Sequence, residues 1–477
     1  MKNIIIKTLA VIILISAAMI YYRFYWNGHD GYMPYLKVAG DVKNVLYFNR
    51  LESGTKTGLK NIIKKAEPAA MSFDVIFAGT DGLAAKIDDR LDRVSLNFSV
   101  TEGWEIIDED HPVSSHIKHL KEIIVVSKEG FTDNSVTVFS PDSNIISVSP
   151  GQMYEKTLSR TLKLEGESKI KRETGEYGVS VYSIVLSMPV SDVINAEYKR
   201  LMIISSDGKN LYTGGQGQLI YDDNRILYSD ETGDNPQEIK GIMPDPPEKS
   251  VSDAYHDALN YIYDGKKVMV IFLDGFSCAQ YEYAVKNKMT PYLAELDKAQ
   301  KASTYFKPVT NVGFAAMITG TGPIENGIHD RSGRALNSTI FQILKEKGLK
   351  SILIEADISI LDSNADERLN TDRNGNGSID DEIFEAAKKE SANGYDYMLV
   401  HFHRIDDMGH KHGPFGKETL DQISIADGYV KDLVNNFSGK VIILSDHGMH
   451  ETSDGGSHGQ ARREDFIVPY FITDGGI

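Results

Sequence analysis

The chain is nearly free of cysteine. Cys278 stands alone among 477 residues, so no internal disulfide can form and the fold must rest on packing, with metals as a further support. Its thiol has no CxxC partner and reads as buried filler. A basic excess is missing as well. Lys and Arg number 51 against 68 Asp and Glu, a net charge of −17. That excludes a general nucleic-acid-binding surface, which needs a basic face to displace counterions. Small anionic substrates remain open, because bound divalent cations reverse the local sign. At 41% hydrophobic and 25% charged residues the composition is otherwise that of a globular protein, and the length implies two or three domains.

A long apolar run occurs at the N-terminus. Lys2 and Lys7 flank Thr8 to Ile20, and from Asn3 to Tyr22, with Lys7 snorkelling, the stretch is long enough for a bilayer core of ~30 Å. Tyr21, Tyr22, Phe24, Tyr25 and Trp26 follow, residues that favour the membrane–water interface, while the lysines favour the cytoplasmic side. Residues 1–26 are therefore expected to form a membrane anchor, or a signal peptide cleaved near Ser16–Ala18. Either places the rest of the chain outside the cytoplasm, anchored in the first case and secreted in the second.

Residues 27–245 read as short strands broken by turns: Phe73–Phe77, Val94–Val100, Glu122–Val126 and Leu201–Ser205, with Thr80-Asp81-Gly82 and Ser206-Asp207-Gly208 as turn signals. VIFAGTDGLAAKI and LMIISSDGKNLYTG each run an apolar strand into Asp-Gly. Each follows a candidate short helix, Leu59–Ala66 and around Val190–Glu197. Two β-rich modules are expected, 27–128 and 129–245, as a possible tandem repeat. Met243-Pro244-Asp245-Pro246-Pro247-Glu248-Lys249-Ser250 reads as a linker.

From 246 to 477 the pattern changes. Val268–Leu273, Ser351–Glu355, Met398–Phe402 and Val441–Leu444 are continuous apolar runs, as suits strands buried on both faces of a mostly parallel sheet. Helical stretches lie between them at Thr290–Lys298, Thr339–Lys347, Asp381–Ser391 and Thr419–Asn435. The expected class is α/β, helices covering both faces, with a ligand site at the carboxyl ends of the strands.

Acidic and histidine residues fall at those ends. Asp274 follows the first run, Asp406 and His410 follow MLVHF, Asp446 and His447 follow VIIL, and His458 comes soon after. Each piece alone is an ordinary turn. Together they make a donor set suited to zinc or manganese. Thr310, in PVTN, precedes the apolar helical stretch VGFAAMIT and lies at or beside a helix N-terminus. Such a position stabilises an anion or alkoxide, or makes the threonine an N-cap.

These pieces resemble the alkaline phosphatase superfamily, most closely its type I phosphodiesterase and nucleotide pyrophosphatase branch. LDGF, TPYLAEL, PVTNVGFAAMITGTGPIENGI, DDMGHKHGP, SDHGM and GGSHG stand in the family's order across about residues 266–477. The resemblance implies Thr310 as nucleophile. It implies one divalent metal, zinc or manganese, on Asp274, Asp446, His447 and Thr310, and a second on Asp406, His410 and His458. One departure stands out: the branch has an asparagine three residues after its nucleophile, where this chain has Gly313, with Asn311 as the possible phosphate contact instead. The modifiable cysteine or serine of the sulfatase branch is missing around Thr310. The region 38–127 is faintly similar to the pterin-binding domain of sulfite-oxidase-type enzymes, through LKNIIKKAEP, FAGTDG and HPVSSHIKHLKEIIVV, but it lacks that family's metal-holding cysteine.

A separate segment, Asp372-Arg373-Asn374-Gly375-Asn376-Gly377-Ser378-Ile379-Asp380, fits the first nine positions of a calcium loop, with Asp372, Asn374, Asn376, Ser378 and Asp380 as ligands. Ile383 stands where a closing glutamate is expected; a polar Asx/Gly turn is the alternative. The functional expectation is an extracytoplasmic, metal-dependent phosphoric ester hydrolase acting on a small phosphorylated substrate. Alternatives are a transferase or hydrolase of phosphoglycerol, phosphoethanolamine or phosphonate groups in the cell envelope, and a surface binding protein with an inactive hydrolase domain.

Overall fold

The computed structural model describes residues 35–476 except 50–55, 100–101, 130–131, 140–144, 159–160, 173–174, 231–234, 297–298 and 332. The expected N-terminal anchor lies outside the described residues, among which no helix is long and apolar enough to cross a membrane. The chain forms two compact units, 1–134 with 149–186, and 135–148 with 187–477.

The first unit holds strands β1 (Tyr35–Gly40), β2 (Leu46–Asn49), β3 (Lys56–Gly58), β4 (Phe73–Gly79), β5 (Ala84–Ile87), β6 (Val94–Ser99), β7 (Gly103–Asp108) and β8 (Leu120–Ser127). They make two sheets, ordered β2-β1-β8-β4-β5 and β3-β6-β7. The helix Leu59–Ala66 closes their core with Leu59, Ile62, Ile63 and Ala66, at the i, i+3, i+4, i+7 spacing of one helical face. The helix Pro150–Lys156 belongs to the same unit. Buried Asp41 holds it, accepting from Gly151 N, Ser149 Oγ and Ser127 N at 2.8–2.9 Å.

The second unit begins with β9 (Val136–Phe139) and β10 (Ile145–Val148). The hairpin β11 (Thr161–Arg172) and β12 (Gly175–Val185), which follows in the chain, belongs to the first unit and pairs on itself. The second unit resumes with β13 (Ser187–Pro189), β14 (Leu201–Ser205), β15 (Asn210–Thr213), β16 (Gln218–Asp222), β17 (Arg225–Ser229) and β18 (Gln237–Pro244). Their pairing repeats the first unit's. β9 runs parallel to β18 as β1 does to β8, and β18-β14-β15 matches β8-β4-β5 with the same directions. β13-β16-β17 matches β3-β6-β7. The likeness extends to single atoms. Both central pairs carry a bulge at the strand end, at Ala78/Gly79 and at Ile204/Ser205. In both turns the aspartate accepts from the N–H two residues on, Asp81 from Leu83 and Asp207 from Lys209. Gly82 and Gly208 adopt φ of 88° and 87°, a region that only glycine enters freely. Where the first unit has the full helix Leu59–Ala66 before its central strand, the second has a 3-10 turn, Val190–Val193, with Pro189 as its N-cap.

The Pro-rich segment leads directly into the α/β sheet: β18 ends at Pro244 and β19 (Lys249–Ser250) already pairs with β21 (Gln300–Ser303). The other strands are β20 (Val268–Leu273), β22 (Ser351–Glu355), β23 (Glu367–Leu369), β24 (Tyr397–Phe402), β25 (Lys440–Leu444) and β28 (Ile467–Asp474), with β26 (His450–Thr452) and β27 (Gly455–Ser457) as a separate hairpin. The order is β19-β21-β28-β25-β20-β24-β22-β23. Five neighbours, from β25 to β23, run parallel, and β28 is antiparallel to both its partners. Side chains alternate between two cores. Val268, Val270 and Phe272 meet the helices Asp253–Tyr263 and Thr310–Thr319, while Met269, Ile271 and Leu273 meet Asp380–Ser391 and Lys417–Asn435. The α/β class expected from the sequence is the class observed.

The second β module joins this unit through Phe139, Met202, Ile204 and Met243, packed with Cys278, Phe466 and Ile467. Cys278 is therefore core filler; burial pushes its thiol up to about 12.

Candidate active site

Three adjacent parallel strands, β25, β20 and β24, end side by side, and the acidic ligand candidates leave the sheet there. Asp274 follows β20, Asp446 follows β25, and Asp406 sits in the first turn of the helix Arg404–His412 after β24. Thr310 is the first residue of the helix Thr310–Thr319. Its N-cap is Val309, so the threonine hydroxyl does not serve as a cap. Thr310 Oγ1 instead lies 3.3 Å from His447 Nε2.

Two donor groups form around it. Asp274, Asp446 and His447 converge, with His447 Nε2 at 3.6 Å from Asp274 Oδ1 and 3.1 Å from Asp446 Oδ2. Asp406, His410 and His458 form the other: His410 Nε2 is 3.3 Å and His458 Nε2 3.8 Å from the Asp406 carboxylate, and the two Nε2 atoms are 3.1 Å apart. All six ligand candidates and the nucleophile candidate named from the sequence therefore come together.

Whether metals fit can be read from the hydrogen bonds. Asp274 Oδ1, Asp406 Oδ1 and Asp446 Oδ2 are buried with no hydrogen-bond partner, a costly state for a carboxylate oxygen unless a cation meets it. Each imidazole turns its Nδ1 to a backbone carbonyl: His447 to Gly448, His410 to Gly456 and His458 to Pro308. A carbonyl only accepts, so Nδ1 carries a proton, and in the neutral ring the Nε2 lone pair faces inward, the tautomer a metal ligand needs. The charges act on each group differently. The Asp406 carboxylate raises His410 above its ordinary value, and, against the cost of burial, Asp446, Asp274 and Asp406 raise His447. Burial, then the Asp446 and Asp406 carboxylates, push Asp274 well above the usual range. Burial, then His447, pushes the His458 imidazole down to about 3, which keeps it neutral. Asp406 is held at about 2, its burial outweighed by His410, His447 and His458. Two divalent cations match these donors.

Gly313 has a local reason. A Cβ there would lie 2.6–2.9 Å from the Cβ, O and Cα of Asp446. This helix approaches the ligand loop too closely for any side chain, asparagine included. Asn311, the candidate phosphate contact, is oriented by one amide hydrogen donated to Ile360 O at 2.8 Å; its NH2 group has two donors, so this bond does not use both.

The 372–380 segment closes on itself. Asp372 accepts from Gly375, Asn376 and Gly377 N–H, and the Asn374 and Asn376 amides both donate to Asp381 Oδ2. Ser378 Oγ accepts from Asp380 N. Asp380 turns away from the loop to accept from the His403 and Arg404 N–H groups. These bonds are those of an Asx/Gly turn, and the Asp380 carboxylate, at the ninth position of the segment, is held by the chain that follows β24.

Three residues escaped sequence reasoning. His401 Nε2 is 3.3 Å from Asp274 Oδ2, and His403 Nδ1 is 3.8 Å from the same oxygen. Glu355, at the end of β22, meets both rings from behind, through His401 Nδ1 at 2.8 Å and through His403 Nε2. Its carboxyl is held at about 2, the cost of burial being outweighed by His401 and His403. The available signal was the His-Phe-His spacing, since residues two apart at a strand end face one side.

Residues 350–468 match the model of the type I phosphodiesterase / nucleotide pyrophosphatase family. That stretch lies within the α/β domain and holds Asp406, His410, Asp446, His447 and His458. An 88-residue stretch is 36% identical to mouse (Mus musculus) GPI ethanolamine phosphate transferase 1, covering 17% of this chain and 9% of that protein. Among solved structures, phosphonoacetate hydrolase from Sinorhizobium meliloti 1021 in complex with phosphonoformate aligns at TM-score 0.33 and 16% identity, over 39% of this chain and 56% of that one. Murine ectonucleotide pyrophosphatase / phosphodiesterase 5 in complex with AMP aligns at TM-score 0.33 and 20% identity, over 39% and 58%. The chain thus spans little more than half the length of these structures and a small part of the transferase.

Proposed function

We propose that the α/β domain is a metal-dependent phosphoric ester hydrolase with Thr310 as nucleophile, acting outside the cytoplasm on a small phosphorylated substrate or a cell-envelope phosphoester. The observation that carries this is the placing of Thr310 Oγ1 at a helix N-terminus, 3.3 Å from the inward-facing His447 Nε2 and beside three carboxylate oxygens that lack partners. The family match over residues 350–468 supports the same chemistry.

Two divalent cations bound by these groups would supply positive charge to the phosphoryl oxygens and to the attacking and departing oxygens. Asp274, Asp446 and His447 would hold one, beside Thr310; Asp406, His410 and His458 would hold the other. The chain's own part is positioning. Thr310 Oγ attacks phosphorus in line, an O–P bond forms to the threonine, and the ester O–P bond on the opposite side breaks. The helix N-terminus favours the negative charge gathering on the phosphoryl oxygens. A water oxygen then attacks the phosphothreonine and returns Thr310.

A second reading, transfer rather than hydrolysis, has specific support in the likeness to an ethanolamine phosphate transferase. It differs only in the second step, where an acceptor hydroxyl replaces water. The N-terminal segment supports action at an envelope surface. The test is a chain beginning near Gly28, supplied with zinc or manganese and given paired chromogenic mono- and diesters, with and without an alcohol acceptor. Thr310→Ala should lower turnover by on the order of 10³-fold or more and leave bound metal unchanged. Wild-type turnover in that variant would remove Thr310 as nucleophile. Product divided toward the acceptor would favour transfer.

A further inference from the structure

Asp274 has two oxygens with different neighbours. Oδ1 faces His447 and belongs to the site described above. Oδ2 faces the other way, toward His401 Nε2 at 3.3 Å and His403 Nδ1 at 3.8 Å. Asp274, His401 and His403 form a convergent donor group of their own. His401 is wholly buried and stacked on Phe272, so its ring cannot turn to solvent.

The protons on these rings are constrained from behind. Glu355 Oε2 takes His401 Nδ1, and Glu355 Oε1 takes His403 Nε2. A carboxylate only accepts, so those two nitrogens are the protonated ones. The remaining nitrogens, His401 Nε2 and His403 Nδ1, converge on Asp274 Oδ2, and the two rings lie with centroids 3.8 Å apart and 37° between their planes. A cation among these three atoms would be met by two imidazole nitrogens and one carboxylate oxygen. The spacing suits one: bonds of about 2.0–2.2 Å at tetrahedral angles set ligand atoms roughly 3.3–3.5 Å apart. A histidine ligand whose far nitrogen is held by a carboxylate is also the usual outer arrangement of a metal site.

We propose that Asp274, His401 and His403 hold a third divalent cation, of the zinc or cobalt class, with Glu355 as the carboxylate that orients both rings. Two imidazoles and one carboxylate disfavour magnesium or calcium, which take oxygen donors. Asp274 is then shared, one oxygen to each side. The proposal rests on the two-cation reading of the neighbouring groups, because it assigns only one of the two Asp274 oxygens.

The experiment counts metal, independently of turnover. The chain beginning near Gly28 is stripped with a chelator and titrated with cobalt(II), following the visible absorption of bound cobalt, with metal per chain checked by elemental analysis. Wild type should saturate at three equivalents, and His403→Gln and His458→Ala at two each. Glu355→Gln should weaken the third equivalent at least tenfold, in line with the loss of an outer partner. His403 is partly exposed, and far-UV circular dichroism checks that every variant is folded. If wild type stops at two, and His458→Ala removes one while His403→Gln removes none, the third site is wrong and the two-cation reading stands. If His458→Ala removes none, the two-cation reading itself fails and the third site falls with it.

Discussion

Two Asp/His clusters among the described residues have similar composition and opposite character. In the first unit, Asp108 Oδ1 accepts from Asp110 N, His111 N and His111 Nδ1, its Oδ2 accepts from Ser115 Oγ, and His111 Nε2 reaches Asp88. That Asp108–His111–Asp88 cluster is closed. At the ends of β20, β24 and β25 the carboxylates each keep an oxygen without a partner, and the imidazoles turn their lone pairs inward. Residue type is therefore a poor guide to a site. What separates the two is whether the polar atoms are satisfied by the chain alone.

Metal removal should break the comparison most sharply. Chelation should abolish turnover and lower the unfolding midpoint of the α/β unit, because three crowded carboxylates then repel one another. A cation held at a hundred times its Kd contributes about 2.7 kcal/mol. The first unit should not respond. Both tryptophans, Trp26 and Trp104, precede the α/β domain, and Trp104 is buried in the first module, so tryptophan fluorescence follows that module while circular dichroism follows the whole chain. A tryptophan transition that shifts with chelator would refute the separation. The next effect in size is His458→Ala, which should cost on the order of 10²-fold or more in turnover through lost metal, measured on chromogenic esters at saturating zinc. Gly313→Ala comes third. Its Cβ would press on the Asp446 backbone, and about 1–3 kcal/mol of destabilisation is expected, read by circular dichroism melts; an unchanged melt would show that the helix can shift away.

The smallest effect belongs to the closed cluster. Burial alone would lower the His111 pKa, but Asp108 and Asp88 outweigh it and raise it above its ordinary value. A raised folded-state pKa means that protonated His111 stabilises the fold fully below its unfolded value of about 6.5. That contribution fades as pH climbs through the folded value. The tryptophan-detected midpoint should therefore fall modestly from pH 6 to pH 8.5, and Asp108→Asn should flatten the slope. A midpoint that rises over this range would contradict the assignment.

Much of the fold was legible, in the β-rich modules and the α/β domain alike, because its signals are local. Val268–Leu273, Ser351–Glu355 and Leu201–Ser205 are strands with the bounds their apolar runs imply, and Leu59–Ala66 is the helix its spacing implies. The ligands of the two donor groups follow strands directly, so their order in the chain exposes them. Glu355 and His401 were hidden for the opposite reason. Each closes an apolar strand, and what pairs them is the adjacency of β22 and β24, which no local pattern carries. The hydrogen bonds of Asp380 to the N–H groups of His403 and Arg404 were hidden too, because those partners lie far along the sequence. Helix ends were also blurred: the stretch expected at Thr290–Lys298 is the shorter Pro291–Glu295.

The side-by-side exit of β25, β20 and β24 has a consequence in time. β20 is made early in the domain, β25 and His458 close to its end. The two outer neighbours of Asp274 therefore cannot both be in place until nearly the whole domain has been synthesised, an interval of roughly ten seconds or more at about 5–20 residues per second. Through that interval the growing chain carries a bare, acidic strand end with no completed cage. Under the proposed function, cation loading would be a late event that reports a finished sheet, and a truncated or stalled chain would remain unloaded.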